Sequence, residues 1–271
     1  MVDNYDSMLN YLGYFGALFI GLILGLTGGG GSILTVPLLV YVLHFNPVTA
    51  AAYSLFIVGS TSAFGTILNL RKGIVELKTA FLFAIPSFVA VFLTRKFIVP
   101  AIPDIIYEND SLVITKNSFL MIVFAIVMLV AAVTMLKKKQ EQQKTNEKYN
   151  LLFLTIKLML IGLLIGLIGS GGGFLIIPAL VFVAKLPMRK AIATSLLIIS
   201  LNSLIGFMGD LGSIPIDWTF LFLFTIIAMS GIFIGLYLSK FFNESQLKKG
   251  FGWFVLCMAL FILSKEIFPR L

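Results

Sequence analysis

The chain has 271 residues, 59% of them apolar and 12% charged, with a formal net charge of +8, whereas ordinary soluble domains carry about 25% charge. That balance excludes a water-soluble globular domain, and the scatter of Lys and Arg among short loops, with no single stripe or patch, argues against nucleic acid as a partner. One cysteine, Cys257, and one histidine, His44, leave no disulfide framework and no Cys or His metal cluster, so no cofactor is expected.

Apolar runs near the length that crosses roughly 30 Å of hydrocarbon recur from end to end. The first follows an acidic start, Asp3 and Asp6, and lacks the basic region and small-residue cleavage site of a removable signal peptide, so it is expected to be kept. In chain order the runs predict ten helical segments. Five cover residues 9–26, 32–43, 47–70, 79–98 and 117–136, and five cover 150–168, 174–184, 187–208, 218–238 and 250–265. Between the sets lies KKKQEQQKTNEK, a polar stretch without apolar periodicity. It divides the chain into a first membrane repeat at 1–136, a cytoplasmic linker at 137–149 and a second membrane repeat at 150–271.

The halves resemble each other. Residues 21–77 placed on 162–218 without a gap give twenty identities in fifty-seven pairs, among them Gly25 with Gly166, Gly28 with Gly169, Pro37 with Pro178, Ser54 with Ser195, Ser62 with Ser203 and Gly65 with Gly206. Small polar and punctuating residues do not align through apolarity alone, so the pattern reads as an internal duplication, an arrangement that places transporter sites at a shared interface.

Orientation follows from the basic residues, which accumulate in short cytoplasmic loops. With the linker inside, the inner loops hold Arg71, Lys72, Lys78, Lys137, Lys138, Lys139, Lys144, Lys148, Lys185, Arg189, Lys190, Lys240, Lys248 and Lys249, fourteen of the twenty. Arg95 and Lys96 then fall at outer helix ends. Five segments per half is an odd number, so the second half enters from the opposite side. The expected fold is all-α: a polytopic membrane protein with two inverted-topology repeats of about five helical segments each. Segment 32–43, about 12 residues or roughly 18 Å of helix, is too short to span alone, so each half has either a short span or a re-entrant helix after its glycine-rich break.

Those breaks are the strongest local signals: GLTGGGGSILTVPLL from Gly25 and GLIGSGGGFLIIPAL from Gly166. Gly28, Gly29, Gly30 and Gly31, and Gly169, Ser170, Gly171, Gly172 and Gly173, are poor helix formers in series, glycine being about 1 kcal/mol worse than alanine per position. Broken backbone at membrane depth is tolerated only in protein or beside a wet cavity. The helices restarting near Ser32 and Phe174 offer unpaired amides and a positive dipole end, an arrangement suited to a small anion. Close helix packing is the plainer use of such glycines. A phosphate loop is excluded, since no Lys-Ser/Thr ending and no preceding strand accompany them.

The third segments carry Ser54, Thr61 and Ser62, and Thr194, Ser195, Asn202 and Ser203. Their side chains could complete an anion site or bond helix to helix. Lys157 lies inside an apolar run, where it either snorkels to the inner interface or attracts the anion. Glu76 and Asp217 are expected to cap the helices that follow them.

GGGGSILTVP with GSGGGFLIIP, AAAYSL with AIATSL, and SLNSLIGFMGDLGSIPIDW together resemble the TauE/SafE sulfite-exporter family, over nearly the whole chain. The chain departs from that family at Ala52-Tyr53, where Gly-Thr is common, and at Asn69 and Asp210, near which relatives often carry His. The resemblance implies a carrier of sulfur-containing anions such as sulfite, thiosulfate or organosulfonates, in a bacterial inner membrane, with export the expected direction. The implied partners are a small anion, membrane lipid and a coupling ion that the sequence does not name. Uptake, an anion channel and a membrane scaffold are the rivals. An intramembrane enzyme lacks its motifs here: no HExxH, no GxSxG and no intramembrane carboxylate pair.

Overall fold

The computed structural model describes residues 2–109, 112–137, 151–169 and 172–267, with their side chains except those of 2–12, 30, 108–109, 112–114, 151–154 and 267. Beyond Lys137 the expected linker lies outside the described residues. In chain order the helices are α1 (Val2–Thr27), α2 (Gly30–Pro37, continued by a π-helical turn Leu38–Val42), α3 (Pro47–Leu70), α4 (Leu77–Leu93, running on through Thr94–Ile98), α5 (Lys116–Leu136), α6 (Leu151–Ile168), α7 (Gly173–Phe182), α8 (Met188–Asp210), α9 (Trp218–Leu238) and α10 (Glu244–Ile267). The bundle is helical throughout, as expected. One addition is an antiparallel hairpin between α4 and α5, β1 (Ile105–Asn109) with β2 (Leu112–Thr115).

Among the described residues six helices, α3, α4, α5, α8, α9 and α10, are long and apolar enough to cross a membrane. Local chemistry sets their ends. The side chain of Asn46 accepts the Val48 amide ahead of Pro47 and starts α3 at its expected residue. Asp217 accepts from Phe220 and caps α9 as expected. Glu76 does not cap α4: its carboxylate reaches Lys190 instead, at 2.6 Å. Asn243 and Gln246 exchange side-chain and backbone bonds in a capping box, so α10 begins at Glu244, six residues ahead of the expected 250. The spanning helices are two-faced. On α9, Leu221, Phe224, Ala228 and Ile232 are buried while Phe222, Ile226 and Phe233 are exposed, the pattern of a helix with one face against protein and one against lipid.

Lipid removes most of the hydrophobic drive for helix association, leaving close packing and interhelical bonds to hold the bundle. The close approaches come in pairs separated by 141 residues. Gly21 and Gly25 of α1 lie against the backbone of Ala228 and Ile232 on α9; Gly162 and Gly166 of α6 lie against Ser87 and Val91 on α4. Gly65 meets Leu196 and Ile232, and Gly206 meets Leu55 and Val91. Each of these contacts recurs with the halves exchanged.

The helices α3 and α8 form the central pair. Leu55 meets Gly206, Gly59 meets Leu204 and Gly65 meets Leu196, so the two helices run antiparallel. Asn69 and Asp210, at their C-terminal ends, lie at opposite ends of the bundle. Thr61, Ser62, Asn202 and Ser203 sit near the level where the helices cross.

Candidate functional site

Both glycine runs interrupt the helix. α1 stops at Thr27 and α2 starts at Gly30; α6 stops at Ile168 and α7 starts at Gly173. Gly28 has φ +75° and Gly169 φ +70°, left-handed conformations that residues with a β-carbon rarely adopt. Ser170 and Gly171 lie outside the described residues. After the first break α2 turns back along α1, with Gly31 against Leu24, Leu38 against Gly16 and Leu43 against Gly13. The first short segment is thus one arm of a hairpin whose tip is the break.

The two breaks meet. Gly29 packs on Gly173 with no room for a side chain on either, Gly28 lies on Ile192 of α8, and Gly169 lies on Ala51 of α3. Hydroxyls close part of the freed backbone: Ser32 donates to the Gly29 carbonyl at 2.6 Å, and Ser195 shares its proton between the carbonyls of Gly28 (2.9 Å) and Ile192 (2.8 Å). Ser54, the counterpart of Ser195, has no hydrogen-bond partner, and neither have Thr61, Ser62 and Ser203; all four are fully buried. Leaving a buried hydroxyl unbonded costs about 1–3 kcal/mol, so these oxygens form a reserve of polar capacity along α3 and α8. Asn202 is already engaged, donating to Ser87 of α4 at 2.9 Å, the helix-to-helix bond that was the alternative to a site role.

A cavity of about 200 Å³ opens at the end where α3 finishes and α8 begins. Lys72, Arg189 and Lys240 line it together with Asn69 and Leu236, and Ile192 carries its wall to Gly28. Asn69 is 2% exposed and its Nδ2 has no partner. Three cations and a spare amide donor around one space suit an anion. Burial first, and the charge of Lys240 second, hold the Lys72 ammonium below the usual lysine range. An anion between the two lysines reverses that depression, so binding takes up protons and affinity falls as pH rises through the free lysine's range. Calorimetric titration with sulfate from neutral pH to about pH 10 checks this; the expected Kd rises several-fold, and a flat profile would remove Lys72 from the site. Lys157 is exposed on α6, and His44 and Cys257 are exposed as well.

At the opposite end, sequence reasoning missed a buried ion pair. Arg95 was expected at an outer helix end, yet its side chain is 0% exposed and its Nε donates to both oxygens of Asp210 (2.9 and 2.8 Å), with Nη2 at 2.6 Å from Oδ2. Nη2 also approaches the Val48 carbonyl at 3.5 Å, while Nη1 has no partner. The available signal was the alignment of Asp210 with Asn69, which puts a carboxylate at a membrane-helix end that its twin leaves neutral.

A family profile described as "Sulfite exporter TauE/SafE" matches residues 14–262. A "Probable membrane transporter protein" of Xylella fastidiosa strain 9a5c is 29% identical over 91% of this chain and 92% of its own length. "Probable membrane transporter protein YunE" of Bacillus subtilis is 24% identical, over 75% of this chain and 78% of its own. No solved structure matches.

Proposed function

The chain belongs to the sulfite exporter TauE/SafE family of membrane transporters, and from that premise we propose that it exports small sulfur-containing anions, such as sulfite, thiosulfate or organosulfonates, by alternating access. It is a multi-pass membrane protein, read here as residing in the bacterial inner membrane. In this reading 1–136 and 150–271 are inverted repeats, 137–149 is a cytoplasmic linker, and the basic cavity faces the cytoplasm.

The observation that carries the reading is the meeting of the two breaks at Gly29 and Gly173. The first turns of α2 and α7 carry the positive ends of their helix dipoles, and the unbonded hydroxyls of Ser54, Thr61, Ser62 and Ser203 lie on the two helices against which the breaks pack. An oxyanion needs several such donors once water is stripped away. Gly28 to Gly31, Ser32, Ser54 and Thr61 from one half, and Gly169 to Gly173, Ser195 and Asn202 from the other, form the proposed route. Anions collect from the cytoplasm at Lys72, Arg189 and Lys240, cross between the breaks, and leave at the far end.

Reconstituted protein loaded with labelled sulfite, thiosulfate or a sulfonate tests this. The expected flux of at least one of them saturates and is accelerated by unlabelled anion on the far side, as a carrier requires and a pore does not. Flux equal to that of protein-free liposomes across the panel would reject the reading.

A further inference from the structure

The two ends of the bundle are built on corresponding residues and have different contents. At the basic end Asn69, Leu236 and Arg189 border an open cavity. Their counterparts 141 residues away are Asp210, Arg95 and Val48, and there the guanidinium of Arg95 fills the corresponding place, bound to the Asp210 carboxylate and close to the Val48 carbonyl. Corresponding positions thus border a cavity at one end and hold a buried ion pair at the other.

We propose that Arg95 is the anion-binding group of the far face and that Asp210 holds its place in this conformation, so that a transported oxyanion passes by exchanging with the Asp210 carboxylate on the guanidinium. The proposal rests on the transport reading above and goes further by naming the far-side ligand and its internal competitor. Chemistry favours the exchange: a planar guanidinium binds carboxylate, sulfite and sulfonate oxygens in the same forked geometry. Arg95 Nη1 is already buried without a partner, a donor that Asp210 leaves unused and that a three-oxygen anion can engage. A buried cation carries a desolvation cost wherever it lies, so Arg95 is stable with either anion and unstable with neither, which makes the closed and anion-bound forms alternatives of one switch. Lys96, the neighbouring cation, points its ammonium over the rings of Phe92 and Phe97, leaving Arg95 as the cation bonded to Asp210.

Paired cysteine probes separate this proposal from the transport reading. With the native thiol removed by Cys257→Ser, Ala193→Cys reports the basic cavity, which it lines, and Ala52→Cys, its fully buried counterpart, reports the far end. A membrane-impermeant sulfonated thiol reagent is expected to label Ala193→Cys from the cytoplasmic face and to leave Ala52→Cys unlabelled from the far face. Adding Asp210→Asn, which keeps a hydrogen-bond acceptor but removes the competing charge, is expected to raise far-side labelling of Ala52→Cys at least tenfold. The same substitution lowers the KM for anion offered from the far side, while Arg95→Gln removes flux and Arg95→Lys restores part of it. Unchanged Ala52→Cys labelling with Asp210→Asn overturns the proposal even if Arg95→Gln fails to fold, and so does wild-type flux in a folded Arg95→Gln variant. Labelling needs no transported substrate: far-side opening with Asp210→Asn but no flux of any anion would sink the transport reading and leave Asp210 only as the group that closes the far face, and flux without opening would sink this proposal alone.

Discussion

Alanine at Gly29 is expected to reduce anion flux at least tenfold while the protein still inserts and elutes as a single species. A β-carbon at Gly29 would lie 2.5 Å from the carbonyl carbon of Gly173, and one at Gly173 would lie 2.5 Å from the Gly29 Cα. Both neighbours are backbone, and each is held by a helix start that packs on α3 or α8, so neither can turn aside as a flexible side chain could. The breaks must separate to admit the methyl group, and the donors around them lose their common focus; tenfold in flux requires only about 1.4 kcal/mol. Gly173→Ala is expected to act in the same direction from the other half. Gly73→Ala is the matched control: its φ of +67° imposes strain of about 1–2 kcal/mol, yet nothing lies within 4 Å of the added carbon. Initial uptake rates in proteoliposomes decide the matter, and Gly29→Ala flux within twofold of wild type would remove the breaks from the transport path.

Removing either member of the Arg95–Asp210 pair is expected to destabilise the protein strongly. Arg95→Ala leaves Asp210, itself 6% exposed at its side chain, as a buried carboxylate with no cation, and breaking one side of such a pair costs about 3–5 kcal/mol. Asp210→Ala strands the guanidinium to a similar extent. The protein supplies its own repair, because the other half manages the corresponding positions with Leu236 and Asn69. The double substitution Arg95→Leu with Asp210→Asn copies that solution, and replacing both members of a buried pair is often close to neutral, so most of the lost stability should return. Thermal unfolding in detergent, read as loss of the monodisperse peak, compares the set. A midpoint for Arg95→Ala within ~2 °C of wild type, or a double variant no better than the worse single, would contradict the account.

The helices were legible because lipid leaves one dominant signal, the apolar run, and α3 matches it at both ends through Asn46, Pro47 and the basic pair Arg71 and Lys72. The breaks were legible because four small residues in a row are too poor at helix formation to continue one cheaply in hydrocarbon. What escaped depended on partners distant in sequence or on polar residues within helices. Arg95 stands beside Lys96 at the end of an apolar run and looks like an interfacial cation; its partner is 115 residues away. Asn243 to Lys249 look like loop, and only the reciprocal bonds of Asn243 and Gln246 make them a helix start. Glu76 sits at a cap position, but Lys190 on α8 lies closer to its carboxylate than the α4 amides do.

The glycine-lined contacts of α1 with α9 and of α6 with α4 bear on how the chain is made. A ribosome delivers α1 long before α9, so α1 waits in the bilayer with a glycine strip that its later partner has yet to cover. The α1 contact face is complete only once α9 is in place. Synthesis from two separate messages cut within the polar segment is therefore expected to yield stable product only when both pieces are present together, each rescuing the other from degradation.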